Sequence, residues 1–93
     1  MNFDWDPKKA KQNLEKHKVS FDEAITVFYD PLAKVSHDPD HSNEEDRFII
    51  IGHSQKNNLL FVVHLYREPQ DSIRIISARK ATRKETKDFE ELS

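Results

Sequence analysis

The chain has 93 residues, 35% of them hydrophobic and 34% charged, with a formal net charge of -2 and no cysteine. That length closes a single hydrophobic core, so one domain over residues 1–93 is expected. The missing cysteines exclude disulfides, thiolate catalysis and cysteine-based zinc sites, and neither a secretory leader nor an apolar run of membrane-spanning length occurs, which fits a cytoplasmic protein that makes no use of a membrane.

Asn2 to Trp5 reads as a short strand with Phe3 and Trp5 on one face. Asp6 and Pro7 follow as N-cap and first helical residue, because the carboxylate accepts a bond from an orphan N–H and proline lacks only a donor that would go unused. The helix they open runs to about His17, with Ala10, Leu14 and His17 along one side and lysines 8, 9, 11, 16 and 18 around the rest against one acid, Glu15. Ser20-Phe-Asp-Glu23 has the pattern of a capping box, and Phe21, Ala24, Ile25 and Phe28 then recur at the three-and-four spacing of a buried stripe until Asp30-Pro31 ends the helix.

From Leu32 the period becomes extended. Leu32 to Ser36 is a weak strand, and His37 to Asp46 is a polar, acidic loop interrupted by Pro39. Arg47 to Ser54 and Asn58 to Tyr66 are the strongest strands, joined by a hairpin turn at Gln55-Lys-Asn57. After a turn at Glu68 to Asp71, Ser72 to Arg79 forms the next strand. Thr82-Arg-Lys-Glu85 is a second capping box, opening a helix to about Leu92 whose apolar side is only Phe89 and Leu92, suited to marginal docking or to a partner surface. The one glycine, Gly52, lies inside a strand, where it marks a bulge or a close approach. The expected fold is α+β: two N-terminal helices packed on an antiparallel β-sheet of about four strands, plus a C-terminal helix.

Residues 72–84 hold five Lys or Arg and no Asp or Glu, a concentration of positive charge that suits a phosphate-bearing partner. Regular alternation places Arg74, Ile76 and Ala78 on one face of that strand and Ile73, Ile75, Ser77 and Arg79 on the other, unless a bulge re-aims one of the arginines. Pairing through a turn near residue 69 sets His64 close to Arg74, with Tyr66 beside them, and a slip of one residue would reverse this facing. His53 falls near an end of the same sheet. A group of His, Arg, Lys and Tyr suits RNA cleavage by the RNA's own 2'-hydroxyl, which needs a base, an acid and cations around the phosphorane-like transition state, and no metal. Arginine's planar fork suits the clamp, and histidine exchanges protons near neutral pH. The plainer reading of the same charges is a solvated sheet face.

The runs Phe3 to Ala10 and Asn13 to Ala24, then Val27-Phe28, Asp30-Pro31, Asp38-Pro-Asp-His41, Arg47, Ile51-Gly52, Val62-Val63 and Ile73-Arg-Ile-Ile-Ser-Ala-Arg-Lys-Ala81 together resemble the BrnT family of toxins from type II toxin–antitoxin modules. The resemblance spans nearly the whole chain. It implies a RelE-like fold, metal-independent endoribonuclease activity that inhibits translation, no cofactor, and a BrnA-like antitoxin that masks the toxin and brings the complex to operator DNA, with room for a toxin dimer in that complex. With it, His64 becomes the expected proton carrier and Arg74 and Arg79 the expected phosphate or transition-state contacts. Lys16, His53, Arg67, Lys80 and Arg83 are the supporting RNA-binding candidates, with Lys80 to Lys84 suited to holding phosphates. Where the family usually has glycine after the first-helix histidine, this chain has Lys18, which must tolerate or avoid a left-handed conformation.

Several residues carry a structural reading beside the functional one. His17 suits packing or capping at a helix end, Trp5 suits the core, and Arg79 could pair with Glu85 or Asp88. His37, Asp38, Asp40 and His41 have ligand chemistry, yet a flexible acidic loop explains them and no metal is expected. Arg47, which follows that acidic run, suits an internal ion pair. The alternative to a nuclease is a non-catalytic module that docks an antitoxin and contributes to operator binding.

Overall fold

The computed structural model describes residues 1–41, 43 and 46–92; Ser42, Glu44 and Glu45 of the expected acidic loop, and Ser93, lie outside the described residues. Local capping chemistry sets the helix boundaries. Helix α1 spans Pro7–His17, with the Asp6 carboxylate accepting from Lys8 N at 2.9 Å. It ends at Lys18, which does adopt the left-handed conformation (φ 60°) so that its N–H can reach Leu14 O at 3.0 Å. Helix α2, Phe21–Thr26, continues into a 3-10 turn, Val27–Tyr29. Ser20 Oγ accepts from Glu23 N at 3.0 Å, but the other half of that box is absent: the Glu23 carboxylate instead accepts from Ser54 Oγ at 2.6 Å and Asn58 Nδ2 at 2.9 Å.

The strands are β1 (Asn2–Asp4), β2 (Lys34–His37), β3 (Arg47–His53), β4 (Leu59–Arg67) and β5 (Ser72–Lys80), in the order β1-β5-β4-β3-β2. The expectation of about four antiparallel strands is therefore corrected to five, with β1 running parallel to β5 and Phe3 opposite Ile73. The three meander pairings are antiparallel. Asn57 takes the positive φ (63°) of the β3–β4 turn, a conformation asparagine tolerates.

One irregularity controls which side chains share a face. Val63 pairs with Ser77, but His64 pairs with Ile75, leaving Ile76 as an inserted residue in β5. The inner face therefore holds Leu60, Val62, His64 and Tyr66 of β4 opposite Lys80, Ala78, Ile75 and Ile73. The outer face holds Phe61, Leu65 and Arg67 opposite Arg79, Arg74 and Ser72. Arg74 and Arg79 thus emerge on one face, not on opposite ones, and His64 points away from both.

Helices α1 and α2 cover the inner face, where Val19, Phe21, Ala24, Val27, Ile50, Leu60, Val62, Ile73, Ile75 and Ala78 form the core. Trp5 packs against this cluster, its ring edge-on to Phe21 at 5.9 Å. On α1 the expected apolar side is only partly used. Leu14 is half exposed, whereas Asn13 is 6% exposed and spends its amide on the β5 backbone: Nδ2 donates to Ala78 O at 2.8 Å and Val19 O at 2.9 Å, and Oδ1 accepts from Ala78 N at 3.1 Å. Beyond the short β1, this one side chain does what a neighbouring strand would do. Gly52 marks a close approach without a bulge, since a Cβ there would stand 2.8 Å from Ala33 Cβ and 3.0 Å from Asp30 Oδ2. Helix α3, Arg83–Glu91, starts with a complete Thr82/Glu85 capping box. It reaches the outer face, where Phe89 is buried beside His53 at 5.7 Å, while Leu92 stays exposed.

Candidate active site

The outer face of the sheet is a row-by-row product of the β3–β4–β5 register. Arg47, Leu65 and Arg74 lie in one row, Ile49, Val63 and Ser77 in the next, and Ile51, Phe61 and Arg79 in a third. The floor of this surface is apolar, and its corners are cationic. A cleft of about 530 Å³ opens over it, floored by Ile49, Ile51, Phe61 and Val63 and rimmed by Arg47, Arg79, His41, Asp38, Asp40 and Glu85.

Both guanidinium groups in the cleft are fixed. Arg79 forms a two-pronged pair with Glu85, Nη1–Oε1 2.8 Å and Nη2–Oε2 3.0 Å, and its Cζ lies 4.0 Å above the centre of the Phe61 ring. Nη1 also donates to Lys80 O at 3.2 Å, so Nε–H and the second Nη2 hydrogen remain to point at a ligand. The Arg79 bonds hold the Glu85 carboxyl below its ordinary range, and the same bonds raise Arg79 further. Across the cleft, Arg47 Nε stands 3.1 Å from Asp38 Oδ2, the internal pair expected for it. The Asp38 carboxylate also accepts from Asp40 N at 3.0 Å, which folds residues 38–41 over the edge of the sheet and brings His41 to the rim. The sequence pattern placed neither Arg47 nor His41 in a site; the short spacing from His41 to the first residue of β3 was the available signal.

The expected residues separate into distinct places. His64 is 3% exposed in the core, between Phe28 (ring centres 4.8 Å apart, edge-on) and Phe48 (6.1 Å, stacked). Burial pushes its pKa down to about 4, against the opposing contact of Nδ1 with Val62 O at 3.4 Å. The expected His64–Arg74 proximity is thus corrected: the ring lies on the inner face, on the opposite side of the sheet from Arg74, where it lines a small apolar cavity with Phe28, Val35, Phe48, Tyr66 and Ile73. Arg74 is on the outer face, paired with Asp4 at 3.2 Å, and Arg67 shares that end with Asp46 at 3.4 Å. His53 puts Nδ1 3.8 Å from Asp30 Oδ2, whose carboxylate also accepts from His53 N at 2.7 Å and Leu32 N at 3.0 Å. Burial opposes ionisation of Asp30, but these bonds outweigh it and lower its pKa. Lys80 closes β5 opposite Leu60, Arg83 opens α3, and Lys16 lies on α1 beside Ile76 and Ser77. His37 stacks on Phe48 at 4.7 Å, and among the described residues no three His, Asp or Glu side chains converge as a metal site.

A family model described as "Ribonuclease toxin, BrnT, of type II toxin-antitoxin system" matches residues 5–85. The chain belongs to the BrnT toxin family. The crystal structure of the Brucella abortus ribonuclease toxin BrnT has the same fold, with a TM-score of 0.69 at 24% identity over 89% of this chain and 99% of that one. No curated protein sequence matches. Membership makes this BrnT-family chain a ribonuclease toxin of a type II toxin–antitoxin system, and a toxin of that kind implies an antitoxin partner. Among the described residues no helix is long and apolar enough to cross a membrane.

Proposed function

We propose that the chain cleaves single-stranded RNA without a metal, in the cytoplasm, by letting the RNA's 2'-hydroxyl attack its own phosphate within the outer-face cleft. The carrying observation is that Arg47, Arg79 and His41 rim one cleft over an apolar floor. A phosphate seated there meets the open edge of the Arg79 guanidinium, whose plane Phe61 and Glu85 hold in position. Such pre-positioned donors gain most when charge develops on the phosphorane, because they need no reorganisation at that moment. His41 replaces His64 as the proton carrier, since proton transfer requires a group within reach of the reacting oxygens. Arg74, Arg67 and His53 share this face, and in this reading they would contact the strand on either side. A BrnA-like antitoxin would silence the enzyme and carry the complex, with one or two toxin copies, to operator DNA.

The alternative, a non-catalytic module for antitoxin docking, is favoured by one feature: each cleft guanidinium is already matched by a carboxylate. The two readings separate when purified, antitoxin-free protein is given single-stranded RNA in excess EDTA. The nuclease reading expects cleavage that EDTA does not abolish and that falls on the order of 100-fold in Arg79→Ala. Absence of cleavage by the unaltered protein supports the docking module, and loss of cleavage in EDTA refutes the metal-free mechanism.

A further inference from the structure

Positive charge available to a polyanion is unevenly distributed over this molecule. Arg47, Arg67, Arg74 and Arg79 stand against Asp38, Asp46, Asp4 and Glu85 at 3.1, 3.4, 3.2 and 2.8 Å, so each is partly neutralised within the fold. The lysines of α1 differ. Among the described residues, no carboxylate lies at ion-pair distance from Lys8, Lys9, Lys11 or Lys16, and the helix contains a single acid, Glu15. Lys18 alone turns back on the helix, donating to Glu15 O at 2.9 Å. In a chain of net charge -2, this helix is a local reversal of sign.

Helical spacing sorts these lysines. Lys9, Gln12 and Lys16 fall on one stripe, and that stripe forms a wall of a groove of about 250 Å³ whose other wall is Ile76 and Ser77. Ile76 is the residue inserted by the β5 bulge, left only partly buried beside the helix. The groove therefore pairs two exposed ammonium groups with the Gln12 amide, the His17 ring, a hydroxyl and an apolar side chain. Lys9 and Lys16 are seven positions apart, about 10 Å along the helix axis, which lets them hold different phosphates of one strand.

We propose that this groove between α1 and the β5 bulge binds the sugar–phosphate backbone of single-stranded RNA, with Lys9 and Lys16 on phosphates, Gln12 and Ser77 on polar groups, and Ile76 against a ribose or base. The inference rests on the nuclease reading above and adds a second anchoring place for the strand. A single strand fits better than a duplex, because only unstacked, unpaired nucleotides offer a base face to an apolar side chain in so small a groove.

The test uses the full chain and a fluorescent 2'-O-methyl RNA strand, which lacks the attacking hydroxyl and stays intact. Anisotropy titrations over a range of salt compare the unaltered protein, Lys9→Gln/Lys16→Gln, and a control that removes two exposed lysines elsewhere, Lys34→Gln/Lys56→Gln. Expected is about tenfold weaker binding for the α1 pair and a log–log salt slope shallower by about 1.4, at roughly 0.7 per phosphate contact on a single strand. Unchanged affinity and slope in the α1 pair, or an equal loss in the control pair, overturns the site. Duplex DNA bound more tightly than the RNA through the same lysines overturns the choice of ligand. Cleavage of unmodified RNA, measured separately, keeps the two ideas apart: a protein that never cleaves yet binds through Lys9 and Lys16 sinks the nuclease reading and leaves this site standing.

Discussion

The buried imidazole of His64 makes folding stability depend on pH in a way that one substitution should erase. In the unfolded chain this ring takes up a proton near the ordinary histidine value of about 6.5. In the folded chain burial between Phe28 and Phe48 delays protonation until about 4. The unfolded state therefore binds more protons throughout that window, so stability is full above about 6.5 and drains away as pH falls toward the folded value. Between pH 7.5 and pH 5 the loss from this one group comes to about 2 kcal/mol, and it approaches about 3 kcal/mol once both forms are protonated. Glu23, Asp30 and Glu85, all lowered in the fold, also cost stability in acid, but they do so in any variant that keeps them. The assay is urea unfolding of the unaltered protein and of His64→Leu at both pH values. Comparing the two slopes with pH removes any constant packing defect. His64→Leu should lose about 2 kcal/mol less than the unaltered chain over that interval. Equal losses would mean that His64 titrates freely, and would return it to consideration as a proton carrier.

Three further outcomes concern the frame around the cleft. Asn13→Ala leaves Ala78 N–H, Ala78 C=O and Val19 C=O without their partner and should cost about 3 kcal/mol, read from the urea midpoint at unchanged slope. Gly52→Ala forces a methyl to within 2.8 Å of Ala33 Cβ, a stub that cannot swing away. A loss of about 1–3 kcal/mol in the same assay is expected, and a neutral result would show that the β3 backbone yields there. Lys18→Gly relieves a left-handed lysine and should raise stability by up to about 1 kcal/mol, the gain being trimmed by glycine's freedom in the unfolded chain.

What could be read beforehand was the chemistry that acts over a few residues. Asp6 with Pro7, Ser20, and Thr82 with Glu85 cap their helices as their side chains require, because a cap is a bond to a backbone group two or three positions away. The β3–β4–β5 meander followed from apolar alternation and turn residues. The parallel pairing of β1 with β5 did not, because it joins residues some seventy positions apart and leaves no local mark. The site was harder still. A single inserted residue, Ile76, reverses the facing of everything on one side of it, so alternation assigned Arg74 and Arg79 to opposite faces when they share one. His64 sat among Leu60, Val62 and Tyr66 on an inward face, and that company was the better guide than its chemistry. Polarity predicts exposure for Asn13 and burial for Leu14, yet a side-chain amide can substitute for a strand where backbone groups would otherwise be buried unpaired.

That substitution has a bearing on how the molecule behaves in a crowd. At its margins the sheet shows three residues of β1 and four of β2, lengths too short to template another chain well. The half of β5 beyond β1 would be a third and longer margin, and α1 with its Asn13 amide closes it. Without that plug the freed ladder groups of β5 invite a strand from a second copy, so loss of one asparagine would turn a folding defect into concentration-dependent clumping.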